Sequence, residues 1–311
     1  MKKIFLLFAA VVMAAGVASA QDLNKAIEAA NHGNEAFQVG EYGTAIESFQ
    51  NSLKIAEALG EEGAEHANTC KVALCNIHLA HAKSLIKASD FDAALNKLNE
   101  TISVAEGYEN AETATDAKAL IPQVYMQKGN TAYKAKDMAN AISSYAKVTE
   151  IDPTNGNAYL LLGRAYAAVG QGDNAVAAYE AAAANGEEKD AKKQLSTYFT
   201  KLAQASRKAQ KWQEALGYAE KSLSYLETAN ALNFAGEASA KLGKNVQAIE
   251  FFEKYLAIAP NAKNINNIKY QIAGAAEAAG NKAKAIEFYK MISTDPALGE
   301  YAKHKVAELS K

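Results

Sequence analysis

Residues 122–189 read PQVYMQKGNTAYKAKDMANAISSYAKVTEIDPTNGNAYLLLGRAYAAVGQGDNAVAAYEAAAANGEEK, and this stretch contains one 34-residue pattern twice. The residues that match at this spacing are Gly129 and Gly163, Ala141 and Ala175, and Tyr145 and Tyr179. Apolar residues within each copy recur three and four positions apart, which is the period of an amphipathic helix. The stretch therefore predicts two consecutive helix–turn–helix units.

Small residues at the matched positions explain how the two helices of a unit pack. Gly129 has no side chain and Ala141 carries only a methyl group, so two antiparallel helices can approach closely, while tyrosines fill the flanking gaps. The predicted turns are Lys136-Asp137 and Gly170-Gln-Gly172-Asp173. Glycine ends the first helix of a unit, and Asp caps the second. Pro153 prevents a helix from continuing across the junction between the two copies.

This pattern resembles the tetratricopeptide repeat, whose signature combines an aromatic residue, Leu-Gly, Tyr, Ala, a second aromatic residue and Pro. The residues that carry the resemblance are Gly129, Tyr133, Ala141, Tyr145 and Asp152-Pro153 in the first copy, and Tyr159, Leu162-Gly163, Tyr166, Ala175 and Tyr179 in the second. The resemblance implies an all-α, right-handed α-solenoid, in which each helix pair contacts only its neighbours.

The same spacing of small residues marks about seven helix pairs along the chain. The small residue of each second helix is Ala45, Ala94, Ala141, Ala175, Ala215, Ala248 or Ala285. Its small partner, twelve positions earlier, is Gly33, Ala82, Gly129, Gly163, Ala203, Gly236 or Ala273. We predict two units with extended helices in residues 21–107, five further units in residues 108–296, and a capping helix in residues 297–311. Pro122 is expected either to kink the helix that contains it or to begin a new helix.

Residues 1–20 have the form of a secretory signal peptide. Met1-Lys2-Lys3 is basic, an apolar run follows from Ile4 to about Val17, and Ala18-Ser19-Ala20 is a small-x-small cleavage site. The run is short for a membrane span, and Gln21 stands where a lipid anchor would need a cysteine. We expect export without stable membrane insertion, to a bacterial periplasm, with the cell surface or secretion as alternatives.

Composition and motifs favour no catalytic function. Without Lys2 and Lys3, 31 basic side chains face 35 acidic ones, and this mixed surface predicts no footprint for nucleic acid or an anionic membrane. The metal-like residues Cys70, Cys75, His78 and His81 share one helix, but the first and last lie about 16 Å apart along it. We expect buried thiols there and no metal. Because no phosphate loop, nucleophile elbow or zinc-protease motif occurs, we expect no enzyme and no cofactor.

The family resemblance places partner contacts in a concave groove that the first helices of the pairs form. By this resemblance the groove residues are Asn34, Phe37, Asn130, Tyr133, Lys134, Leu160, Arg164, Arg207, Asn230, Asn233 and Tyr270. Asparagine can bond a peptide backbone as both donor and acceptor, and Arg or Lys can hold a carboxylate. Met126 and Leu161 replace the Lys and Asn of a clamp for an acidic C-terminus, so that mode is not expected. We predict a scaffold that binds another protein or an extended peptide.

Two other classes of function stay open. A self-assembling structural protein of the envelope would show apolar residues on its terminal helix, whereas the segment from Tyr301 to Lys305 is mixed. A module that binds a small ligand or glycan would need a closed pocket with clustered aromatic residues, whereas Tyr and Trp are spread over packing positions. Both alternatives therefore rank below the scaffold.

Overall fold

The structure, a computed structural model, describes the backbone of residues 17–311 and the side chains of residues 21–311. The predicted signal peptide, residues 1–20, thus lies outside the described residues except for the backbone of its last four. The described part contains fifteen α-helices and no strand. The helices are α1 (Val17–Gln38), α2 (Tyr42–Ala58), α3 (Ala64–Lys87), α4 (Phe91–Gly107), α5 (Ala111–Lys134), α6 (Met138–Ile151), α7 (Gly156–Ala168), α8 (Gly172–Ala182), α9 (Glu188–Lys208), α10 (Trp212–Tyr225), α11 (Ala229–Lys241), α12 (Asn245–Ile258), α13 (Ile265–Ala278), α14 (Lys282–Met291) and α15 (Gly299–Leu309).

These helices form seven successive pairs and a final helix. Every predicted alanine of a second helix is 0% exposed, from Ala45 on α2 to Ala285 on α14. Each small partner lies on the preceding helix and is buried as well. The prediction of an all-α repeat fold is therefore confirmed. The chain divides into two compact units, of which the first ends at Asp152 and the second begins at Pro153.

Glycines on four of the first helices make room for aromatic rings. A Cβ added to Gly129 would lie 2.6 Å from the ring of Tyr145, and one added to Gly236 would lie 2.6 Å from Phe252. Gly33 and Gly163 face Phe49 and Tyr179 in the same way. The glycine of each such pair thus accommodates a ring from the second helix, sixteen residues further along the chain.

The turn inside every pair ends its first helix in the same way. One residue, five positions before the buried alanine, has a positive φ: Gly40, Ser89, Lys136, Gly170, Gln210, Gly243 or Gly280. In the third turn the Asp137 N–H donates to the Ala132 carbonyl at 2.9 Å, and the Lys136 N–H donates to Tyr133 at 3.1 Å. This hydrogen-bond pair is the Schellman motif, and it recurs in all seven turns.

One predicted cap differs from the structure, and the structure excludes one of the two alternatives expected for Pro122. Asp137 caps α6 as predicted, accepting from the Asn140 N–H, but Gln171 occupies the cap of α8 and Asp173 lies in its first turn. Helix α5 continues through Pro122 and does not begin there. Packing holds this helix on both sides of the proline, because Ala117 before it and Val124 after it are both buried.

The cysteines of α3 belong to the core of the first unit, and His66 is bonded beside one of them. Cys70 and Cys75 are buried and not disulfide-bonded, and burial raises the pKa of both thiols. The Ser52 hydroxyl donates to the Ala26 carbonyl at 2.7 Å and lies 2.9 Å from His66 Nε2. Its Oγ also lies 3.2 Å from the Cys70 sulfur. These bonds join α1, α2 and α3, and residues 21–311 contain no cluster that could hold a metal ion.

Candidate partner-binding groove

A groove lies between α9 and α11, the first helices of the fifth and sixth pairs. It encloses about 380 Å³ and is lined by seven polar side chains and one aromatic ring. The lining residues are Ser196, Thr197, Thr200, Lys201 and Gln204 on α9, Thr228 at the cap of α11, and Asn230 and Phe234 on α11. The α9 residues recur three and four positions apart, so one face of this helix supplies them.

Buried hydroxyl groups fix the α9 wall of the groove. The Ser196 and Thr200 oxygens lie 2.9 and 2.8 Å from Ser222 Oγ on α10. The Ser222 hydroxyl donates to the Ser196 carbonyl at 2.9 Å. Since these groups bond one another across the pair, α9 is held in place by directional contacts as well as by apolar packing.

An ion pair joins α9 and α11 beside the aromatic ring of the groove. Arg207 Nε donates to Glu237 Oε2 at 2.6 Å, and the Arg207 guanidinium stands 5.4 Å from the ring centre of Phe234. Phe234 is 9% exposed and so offers a small apolar surface among polar neighbours. Asn233 has a buried side-chain oxygen with no hydrogen-bond partner among the described residues.

Within residues 17–311, no helix is long and apolar enough to cross a membrane. Two family models, both described as tetratricopeptide repeat, match residues 132–195 and residues 79–156 and 200–263. Together the matches cover more than half of the 311 residues. The chain belongs to the tetratricopeptide repeat family. No curated protein sequence matches it.

Three solved structures illustrate what this tetratricopeptide repeat chain is similar to. A crystal structure of MamA is 22% identical with a TM-score of 0.38, covering 59% of this chain and 96% of its own. YrrB, a tetratricopeptide repeat protein with an unusual peptide-binding site, is 22% identical with a TM-score of 0.35, covering 58% and 91%. The TPR2AB domain of yeast Sti1 in complex with pHSP90 is 16% identical with a TM-score of 0.36, covering 93% and 99%.

In the second unit, only some of the residues that the family resemblance predicts for the groove lie at the groove. Asn230 lines the groove, and Arg207 stands against the ring of the lining residue Phe234. Asn233 lies on α11 with its side-chain oxygen buried. Arg164 is half-buried on α7. Leu160 is 3% exposed and packs in the core with Tyr179 and Leu195, so its side chain is not on the surface.

Tyr270 belongs to a group of three tyrosines near the end of the repeats. Its ring centre lies 6.3 Å from that of Tyr289 and 5.7 Å from that of Tyr301. The Tyr289 hydroxyl donates to Glu277 at 3.1 Å, and Lys305 Nζ donates to the same carboxylate at 2.7 Å. The aromatic residues are thus less spread than the sequence suggested. Because Tyr289 is buried in the core, this group fastens α15 to the last pair.

None of the predicted groove residues of the first unit lines the groove between α9 and α11. Asn130 accepts a hydrogen bond from the Tyr145 hydroxyl at 2.8 Å, and Phe37 packs edge-on against Tyr42 at 6.0 Å. Asn34 and Tyr133 are half-buried, and Lys134 is exposed. Asn130 and Phe37 therefore have packing contacts within their own unit.

Sequence reasoning missed most of the α9 wall. Thr197, Thr200, Lys201 and Gln204 do not belong to the tetratricopeptide signature. The signature is weakest in the fifth pair, where Ala203 replaces the glycine and Ala219 replaces the large residue four positions after Ala215. Their spacing was the available signal: polar residues recur at helical intervals on α9 opposite the buried stripe that contains Leu195 and Phe199.

Proposed function

We propose that this chain is a non-catalytic scaffold, and that an extended segment of another protein binds in the groove between α9 and α11. The observation that supports this is the open groove itself, with seven polar side chains around the ring of Phe234. Such a lining suits a peptide, since a peptide backbone needs donors and acceptors along its length while its side chains need occasional apolar contacts.

Each part of the groove has a role in this proposal. The amides of Gln204 and Asn230 can both donate to and accept from a peptide backbone. Lys201 is exposed on the rim and attracts an acidic or carbonyl group of the partner. Phe234 gives an apolar side chain a surface to cover. Since α9 and α11 are packed helices, these groups are held ready before the partner arrives.

We further propose that the scaffold acts after export. The form of residues 1–20 supports this, because a basic start, an apolar run and Ala18-Ser19-Ala20 are the parts of a signal peptide. Cell fractionation with N-terminal sequencing tests it. A mature chain that begins at Gln21 in the envelope fraction is expected, and an uncleaved chain in the cytoplasm would contradict export.

Site-specific photocrosslinking in the native cell tests the groove. A photoreactive phenylalanine replaces Thr197, an exposed groove residue, and in a control it replaces Lys254, an exposed residue of α12 outside the groove. We expect one heterologous protein to be attached from position 197 and not from position 254. The adduct should be lost when Gln204→Ala and Asn230→Ala are added.

The other outcomes decide between the alternatives. Adducts with only a second copy of the chain would favour self-assembly in place of a scaffold. Equal labelling from positions 197 and 254, or labelling from position 197 that survives the two alanine changes, would refute the groove as the partner site.

A further inference from the structure

The two units of the chain carry charges of opposite sign. Residues 21–152 contain 11 basic and 19 acidic side chains, a net charge of −8. Residues 153–311 contain 20 basic and 16 acidic side chains, a net charge of +4. The mildly acidic average of the whole chain therefore conceals a basic second unit.

Part of this positive charge is concentrated at three consecutive turns. The α9–α10, α11–α12 and α13–α14 turns lie on the same edge of the second unit, because each joins a first helix to a second helix and the pairs stack in sequence. Five lysines mark this edge, which we call the lysine edge: Lys208, Lys211, Lys241, Lys244 and Lys282. Lys208 and Lys241 end α9 and α11, and Lys282 begins α14.

Two of these lysines occupy helix caps at which a lysine side chain cannot make the capping bond. Lys211 and Lys244 are the cap residues of α10 and α12, and neither side chain makes a capping bond. At the equivalent positions Asp90 and Asn281 accept capping hydrogen bonds. Lysine supplies no acceptor, and its charge opposes the positive end of the helix. The charge at these caps is thus better explained by a contact outside the fold.

Most of the lysine edge is available for such a contact. Lys208, Lys244 and Lys282 are exposed and form no ion pair in the described part of the chain. Lys211 pairs with Glu214 at 3.1 Å on the surface, and Lys241 stands 6.0 Å from the ring centre of Trp212. One carboxylate among five lysines leaves the edge positive.

Apolar side chains accompany the lysines. Val246, in the first turn of α12, is 65% exposed beside Lys244, and Trp212 is half-buried beneath Lys241. Lysines mixed with Trp and exposed aliphatic groups suit the headgroup region of a bilayer, where charge meets phosphate and the apolar groups leave water. A nucleic acid or an acidic protein tail would pair with the lysine charges but would offer Val246 no apolar surface to contact.

We propose that the lysine edge docks the second unit on a membrane surface that contains anionic lipids. The contact is peripheral: lysine ammonium groups meet lipid phosphates, and Val246 enters the headgroup layer. The groove between α9 and α11 would then be presented beside the membrane. This revises the expectation of no anionic-membrane footprint, because the fold brings together lysines that the sequence separates by some thirty residues.

Vesicle sedimentation of the full chain tests the proposal. The probes are vesicles of phosphatidylcholine alone and of phosphatidylcholine mixed with phosphatidylglycerol, at low ionic strength so that screening is weak. Lys208→Gln, Lys244→Gln and Lys282→Gln together should lower the partition coefficient on the mixed vesicles by about 100-fold. A matched control carries Lys254→Gln, Lys263→Gln and Lys290→Gln, which remove the same charge from exposed positions outside the edge, and it should lose only a few-fold.

A second comparison separates lipid from other anions. Val246→Asn keeps every charge and should weaken binding to the mixed vesicles several-fold while leaving any binding to a DNA duplex unchanged. Residues 1–20 are identical in all variants, so they cannot cause a difference between them. Equal losses in the two lysine triples, binding that ignores phosphatidylglycerol, or DNA binding with the same dependence on Lys208, Lys244 and Lys282 would overturn the proposal. Far-UV circular dichroism shows whether each variant is folded.

Discussion

The same substitution at two helical glycines should change stability in opposite directions. Gly217 lies within α10 with open space where a Cβ would be, and Gly236 lies within α11 against the ring of Phe252. In a helix, Ala is favoured over Gly by about 1 kcal/mol. Gly217→Ala should therefore raise the free energy of unfolding by about that amount.

Gly236→Ala gains the same helix propensity, but steric overlap with Phe252 destabilises the fold by more than this gain. Its Cβ would lie 2.6, 2.7 and 2.8 Å from three ring carbons of Phe252, and this ring is 0% exposed, so it has no space into which to turn. Overpacking of this kind costs about 1–3 kcal/mol. With three ring atoms in contact we take the upper end, which leaves a net loss of about 2 kcal/mol.

Urea unfolding followed by circular dichroism measures both variants against the native chain. The midpoint should rise for Gly217→Ala and fall for Gly236→Ala. Adding Phe252→Leu to Gly236→Ala should recover part of the loss, since the second pair already has Ala82 and Leu98 at these positions, buried in one core cluster. A rise for Gly236→Ala similar to that of Gly217→Ala would refute the view that glycine is there to admit the ring.

Three further predictions concern a turn, the histidines and the last helix. Gln210→Gly should stabilise the chain by about 1 kcal/mol, measured in urea, because Gln210 has φ 57° and a left-handed conformation penalises a side chain. Burial lowers the pKa of three histidines on α3 below the usual 6.5, so the unfolded chain binds more protons than the folded one near that pH. The first unit should therefore keep its full stability above about pH 6.5 and lose stability as the pH falls, which hydrogen exchange measures. The loss should be smaller when the three histidines are changed to Gln. These histidines are His66, His78 and His81. Lys305→Met should speed amide exchange in α15, since it removes both ion pairs of that lysine; protection as in the native chain would show that packing alone holds α15.

Periodicity predicted the fold well, because the same steric requirement recurs in every pair. The predicted alanines fall on the second helix of every pair, from Ala45 to Ala285, and all are buried as expected. Pro122 was harder to interpret, since a local rule about proline competes with packing on both sides of it. Leu160 shows a different limit. A family position does not reveal whether a side chain meets a partner or the next helix, since that depends on neighbours far away in the sequence, here Tyr179 and Leu195.

The seven turns differ in how far their own residues stabilise them. A turn is stabilised by glycine at its positive-φ position and by a capping side chain on the helix that follows. The α13–α14 turn has both, as Gly280 and Asn281, and each of the other turns outside the fifth pair has one. The α9–α10 turn has neither, because Gln210 and Lys211 occupy these positions. Helix α10 therefore depends most on packing and on the Ser222 hydroxyl bonds. This least supported turn lies on the lysine edge, and α9, which it follows, forms one wall of the groove. This is what we expect if the fifth pair has been shaped by contacts with other molecules more than by its own stability.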